Sequence, residues 1–302
     1  MSAIDKGAFL RFGFSCFGTT REVDGAQVQV TACKDGAAVP EQAVRVTKKL
    51  LESKAAKDIV KGDGKCRARL KSLGFAYAEG CIFMPLGVVE RAIDIIESWK
   101  PVRERMVLDL ADDLPNIIAD DAKRLGPMFD RADYPSREKF VEAWKVRANF
   151  EQIGEPAALG AISTALLDKQ REVFKSEMQD TAAEWRSSMR QAFAALIESL
   201  RERLDGERDG GKPKIFRDSR VESLKEWISL FDAKNISEDN ELADLVGKAR
   251  TLLEGTNADD LREDASLRKW AANQLGQIKE AAATLVTADA PRRKFRLDDE
   301  AA

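Results

Sequence analysis

The chain has 302 residues, with 49 Lys and Arg against 52 Asp and Glu, and it contains no histidine. At this length single cores stop growing and chains divide, so two units are expected, and 44% hydrophobic residues suffice to fill them. The missing histidine excludes a Ser-His-Asp triad, a Cys-His pair, a His-ligated zinc and an imidazole base near pH 7.

From the N-terminus, Leu10, Phe12, Phe14 and Cys16 alternate with Arg11, Gly13 and Ser15, and Val28, Val30 and Ala32 alternate with Gln27, Gln29 and Thr31. A period of two predicts two strands in a hairpin. Pro40 then opens a helical pattern through Val44, Thr47, Leu51, Ala55 and Ile59, which Gly62-Asp63-Gly64 is expected to end. A short helix over 65–73, a strand over 75–84 bent at Gly80, and a helix from Pro85 through Val88, Ala92, Ile95 and Trp99 complete a small α+β unit over residues 1–100, in the order β-β-α-α-β-α.

The rest reads as helical. Pro101 and Pro115 punctuate an acidic stretch, and Asp133-Tyr134-Pro135-Ser136 is a turn before a helix to Ile153. Residues 157–204 contain no proline and only Gly160, which predicts one long helix, with a break between Lys175 and Thr181 left open. Its second half carries Ala182, Trp185, Met189, Phe193, Leu196, Leu200 and Leu204 as a packing or interface row, in the eleven-residue rhythm of a nearly straight helix. A Gly-rich linker follows. Ser219-Arg220-Val221-Glu222 has the form of a capping box, opening a helix that buries Val221, Leu224, Ile228 and Phe231. Two more helices are expected over 238–254 and 259–286, the last turning Leu267, Trp270, Leu275, Ile278 and Leu285 inward. The predicted fold is mostly α: a small N-terminal α+β unit, then an elongated antiparallel helical bundle over 101–286 around the long helix, and a disordered tail over 287–302.

Candidate chemistry is sparse. Cys16, Cys33, Cys66 and Cys81 contain no CxxC pair, so buried reduced thiols are expected rather than a zinc site. Gly62-Asp63-Gly64-Lys65 lacks the first glycine and the Ser/Thr of a phosphate loop. Asp109, Asp112, Asp113, Asp120 and Asp121 read as a solvated acidic face. No catalytic residue, metal site or cofactor is expected. Residues 45–71 hold ten cations, Arg45, Lys48, Lys49, Lys54, Lys57, Lys61, Lys65, Arg67, Arg69 and Lys71, against Glu52, Asp58 and Asp63. Such a face suits nucleic-acid phosphates, an acidic protein surface, or solvation alone. The tail run Arg292-Arg293-Lys294-Phe295-Arg296-Leu297 suits a docking peptide or solvated disorder. The first residues carry Asp5, Lys6 and Arg11 and no cleavage site, and no window holds about 18 apolar residues, so neither a signal peptide nor a membrane span is expected.

Leu73-Gly74-Phe75 to Met84-Pro85, then Asp133-Tyr134-Pro135-Ser136, Phe150-Glu151-Gln152-Ile153-Gly154 and Ile215-Phe216-Arg217-Asp218-Ser219, resemble in content and order an uncharacterised domain family of bacterial, prophage and phage proteins. Its members tend to be encoded beside MoxR-type or cobaltochelatase-like AAA+ ATPases and von Willebrand A-type proteins. The resemblance covers roughly Phe9 to Gly255. It implies an accessory or substrate-presenting role around a AAA+ machine, so that the cytosol expected from the missing signal peptide, membrane span and CxxC pair is that of a bacterial host, and it carries no catalytic residues to transfer. A scaffolding or interaction protein is thus the leading expectation, with a sequence-indifferent nucleic-acid-binding protein as the alternative; oligomeric state and partner stay open.

Overall fold

The computed structural model describes residues 3–23, 47–154, 157–205, 218–254, 260–261 and 264–288; the side chains at 3–4, 205, 218–220 and 288 lie outside that description. The chain is mostly α-helical with a small N-terminal strand unit. It divides into two compact units, Phe9–Phe83 with Val89–Glu151, and Met1–Ala8 with Met84–Val88 and Gln152–Ala302.

In the first unit the sheet has the order β4-β5-β1-β6, built from β1 (Gly7–Phe14), β4 (Phe75–Ala78), β5 (Cys81–Pro85) and β6 (Val146–Glu151). β1 runs antiparallel to β6, from Phe9 opposite Glu151 to Phe14 opposite Val146. Two expectations change here. β1 lies between β5 and β6, both distant in sequence, and the helix expected to reach Ile153 stops at Glu142 before β6 begins. The proposed strand at 27–33 lies outside the described residues. A separate small ladder joins β2 (Thr20–Glu22) to β3 (Thr47–Lys49). The single bent strand expected over 75–84 is a hairpin, β4 to β5, turning at Gly80 with φ +67°, a left-handed conformation that glycine adopts without a Cβ clash.

Helix α1 (Lys54–Leu73) begins where the Ser53 hydroxyl accepts from the Ala55 N–H at 3.1 Å. It runs straight through Gly62-Asp63-Gly64, the segment expected to terminate it. The reason is tertiary: a Cβ at Gly62 would lie 2.1 Å from the Trp99 ring, so glycine lets the indole reach the helix backbone, while Asp63 faces inward. Helix α2 (Val89–Asp112) likewise runs through Pro101, and the unit boundary expected at Lys100 falls inside it. The lost backbone bond, about 3 kcal/mol in an isolated helix, is offset by burial of Ile95, Val107 and Leu110 on either side. Helices α3 (Leu114–Leu125) and α4 (Arg137–Glu142) follow. The core joins Phe17, Leu50, Ile59, Leu110, Leu114, Phe140 and Trp144.

The second unit is built on α5 (Thr164–Asp205), one unbroken helix of 42 residues, about 63 Å long at 1.5 Å per residue. Residues 157–161, expected inside it, form a separate 3-10 turn. Around it lie α6 (Asp218–Lys234), α7 (Asn240–Glu254) and α8 (Ala265–Ala288). α8 runs antiparallel to α5: Arg201 lies against Gly276, Lys279 pairs with Glu198 at 2.8 Å, and Arg190 donates to the Leu285 carbonyl. α6 is helical from Asp218, so Ser219 stands inside the helix rather than before it, and its capping side chain lies outside the described residues. Thr287, expected in the tail, belongs to α8; residues 289–302 lie outside the description.

Candidate interaction surfaces

α1 sorts the ten cations by helical position. Lys54, Lys57, Lys61, Lys65 and Arg69 recur at steps of three and four on one exposed face, with Asp58 among them. Lys57 approaches Glu52 at 3.7 Å across solvent. Lys71 is exposed to one side of that row, and Lys49 is exposed on β3. Lys48 is not available: it pairs with Asp133 at 2.7 Å and donates to the Met128 carbonyl. Arg67 stacks over the Phe14 ring, 5.5 Å from its centroid. Arg45 lies outside the described residues. The broad ten-residue face is therefore a narrower stripe of five.

The opposite side of α1 holds a centre absent from the sequence reading. Arg103 on α2 is fully buried. Its Nε donates to Asp63 Oδ1 at 2.8 Å, and its two terminal nitrogens donate to the Trp144 and Ser15 carbonyls at 2.9 and 2.7 Å. Trp99 Nε1 donates to the same Asp63 oxygen at 2.9 Å, and the guanidinium lies over the Phe14 and Trp144 rings. This clasp fixes α1 against α2 and thus the orientation of the outer stripe.

A second centre corrects the acidic face. Asp121 is buried, where it accepts from Tyr134 Oη and the Leu51 N–H, each at 2.7 Å, and from Arg124. Burial pushes its carboxyl up, but the bonds from Tyr134, Arg124 and Leu51 outweigh that and hold it below the ordinary range. Burial, then the bond to Asp121, raises the Tyr134 phenol. The Leu51 N–H bond also holds Leu51 at φ +54°, where a leucine is strained. Of the other acids, Asp109, Asp112 and Asp120 pair at the surface with Arg105, Arg137 and Lys123. Cys66 and Cys81 are buried, their thiols pushed up by that burial; Cys16 is exposed, contrary to expectation, and Cys33 is outside the description.

In the second unit the row on α5 is buried at Trp185, Met189, Phe193, Leu200 and Leu204. Leu196 is half-buried and Ile197 takes the inward position, so the steps run 4, 4, 4, 3, 4. Phe193 meets Trp227 at 5.3 Å between ring centroids, and Trp227 meets Phe231 at 5.6 Å. Beside this row Arg190 makes a two-pronged pair with buried Asp239 at 2.6 and 2.9 Å and reaches Glu241 at 3.0 Å. Asp239 also accepts from the Leu242 N–H, so one carboxylate both caps α7 and anchors α5. Burial raises that carboxyl and the Arg190 and Leu242 bonds outweigh it, leaving it low. Burial alone lowers the Lys234 ammonium to about 8.

The N-terminal half of α5 differs. Ile162 just before it is 75% exposed, Leu166 is 37% and Val173 is 42% exposed, and Leu166 and Val173 fall within one side of the helix. Trp270, expected to face inward, is 49% exposed on α8. It stands at a groove of about 730 Å³ between α7 and α8, lined by Asp244, Gly247, Lys248, Gln274 and Gln277. Among the described residues no helix is long and apolar enough to cross a membrane. Compared with family models, curated proteins and solved structures, the chain matches none of them.

Proposed function

We propose that the chain is a non-enzymatic interaction protein, an accessory of phage or mobile-element type working beside a AAA+ ATPase or a von Willebrand A-type protein. The observation that carries the interaction role is the exposed apolar stripe of Leu166 and Val173, with Ile162 just ahead of them, on a helix whose other half is packed into a bundle. Isolated helices gain little from propensity, and an apolar side left in water has a standing free-energy gain on meeting a partner. The ATPase and the bacterial host come from the family resemblance, and the cytosolic setting from the sequence, which carries no signal peptide pattern, membrane span or CxxC pair. The test is co-purification with the neighbouring gene products: Leu166→Glu with Val173→Glu abolishes capture of the ATPase while the melting temperature stays unchanged. Capture at the wild-type level refutes this reading.

A second reading has its own observation, the five aligned cations of α1. They suit the phosphates of a nucleic acid, bound without sequence preference and lost steeply with salt through counterion release. Lys54, Lys57, Lys61 and Lys65 changed to Glu abolish such binding; retention in about 0.3 M salt contradicts the electrostatic mechanism.

A further inference from the structure

We infer that the stripe on α5 docks into the α7–α8 groove of a second copy of this chain, joining molecules head to tail. This deepens the reading of the stripe as a protein-docking surface and rests on it.

The two surfaces fit in length. Leu166 to Val173 spans two turns of helix, with Ile162 just ahead of it, and the groove on α8 runs from Trp270 through Gln274 to Gln277 over the same two-turn distance. They fit in shape. The groove floor has Gly247, where even a Cβ would meet nothing within 4 Å, so a helix can approach α7 closely, and the half-exposed Trp270 offers the kind of aromatic anchor that dominates interfaces. They fit in charge. Lys169 and Glu172 flank the stripe one turn apart, and exposed Asp244 and Lys248 stand one turn apart on the α7 rim. A guest helix parallel to α7 brings Lys169 to Asp244 and Glu172 to Lys248, and leaves Gln170 for the groove's amides.

The docking cannot occur within one molecule. α5 is continuous, and Arg201 lies beside Gly276 in the middle of the groove-forming part of α8. Val173 is thus about 42 Å along a rod from its own groove. Stripe and groove are different surfaces of one chain, so the contact is heterologous and extends into open chains or rings. Two turns of helix bury less than the roughly 1,200 Å² of an ordinary stable complex, which places the association in the weak, concentration-dependent class.

The test is sedimentation of the full chain between about 1 and 200 µM, the range a helix-sized interface requires. Three proteins are compared: wild type, the stripe variant Leu166→Glu with Val173→Glu, and the groove variant Gly247→Arg, the variants first shown to melt like wild type. The wild-type mass rises with concentration, each variant alone stays a monomer, and an equimolar mixture of the two variants forms pairs and nothing larger, because it retains one good stripe and one good groove. A wild type monomeric throughout overturns the inference, as does a mixture that stays monomeric. A groove variant that associates like wild type also overturns it, since that pattern means stripe against stripe. If the wild type is monomeric but the stripe variant still loses the ATPase, head-to-tail assembly falls and the docking reading stands; if the stripe variant alters neither, both fall.

Discussion

Arg103 sits at the spacing of a core residue, between Trp99 and Val107, and it is fully buried there. The signal was in the sequence as a charge on an apolar stripe, as were Asp63 between Ile59 and Cys66 and Arg190 beside Met189. It could not be resolved because a long cationic side chain at such a position more often reaches back to solvent; only the partner decides, and the partner is distant in sequence. Removing one member of a buried pair leaves the other unpaired. Asp63→Ala should therefore lower stability by about 3–5 kcal/mol, and Asp63→Asn, which keeps an oxygen for Trp99 and Arg103, by less; urea unfolding measures both. Lys234 makes a pH-dependent prediction. Its folded-state value of about 8 lies below the ordinary lysine value near 10.4, so the buried ammonium destabilises fully below pH 8. Between pH 8 and about 10.4 the unfolded chain retains a proton that the folded one has released, so this contribution rises with pH, by about 2–3 kcal/mol in all. The stability difference between Lys234→Met and wild type, read from urea midpoints at pH 7 and pH 10.5, should favour the variant at pH 7 and shrink by that amount at the higher pH. A difference independent of pH contradicts the lowered value.

At the level of elements, periodicity located α2, α6, α7, α8 and the buried half of α5, because their inward positions repeat over several turns. It failed where a tertiary contact overrides a local signal. The two glycines of α1 look like a helix end, and they separate the local and tertiary effects cleanly. Gly64→Ala meets nothing within 4 Å and should stabilise by about 1 kcal/mol through helix propensity and chain entropy. Gly62→Ala drives a methyl into the Trp99 ring and should destabilise despite the same propensity gain. Thermal melting of the two variants should move in opposite directions. β6 was missed for a different reason: Val146, Ala148 and Phe150 alternate, but the run is short and follows a helix start at Ser136, so a helical continuation reads equally well until β1 supplies its partner. In α5, Phe193, like Ile197, is fully buried, and Phe193→Asp buries an unpaired charge beside Trp227. The cost should be several kcal/mol, comparable with the whole stability margin of a domain. An unchanged melting temperature would mean that the row faces water.

Across the whole molecule, composition and the missing histidine removed much familiar enzymology, and the change of period along the chain marked a small strand unit in a mostly helical chain, although β6 lies beyond that change. The basic run was legible as a cluster but not as a surface: helical position leaves five cations aligned on α1, while Lys48 and Arg67 are occupied by Asp133 and Phe14. The apolar stripe before the buried half of α5 was not legible at all, because Ile162, Leu166 and Val173 have the same spacing that elsewhere in this chain means core. What distinguishes them is the absence, among the described residues, of an element packed over them, a property of the fold and not of the local sequence. The most direct test of the account is therefore co-purification of the AAA+ ATPase with two folded variants of the full chain, Leu166→Glu with Val173→Glu on α5 and Lys54, Lys57, Lys61 and Lys65 to Glu on α1. The account predicts that the α5 variant loses the ATPase and the α1 variant keeps it; an α5 variant that retains the ATPase at the wild-type level contradicts it.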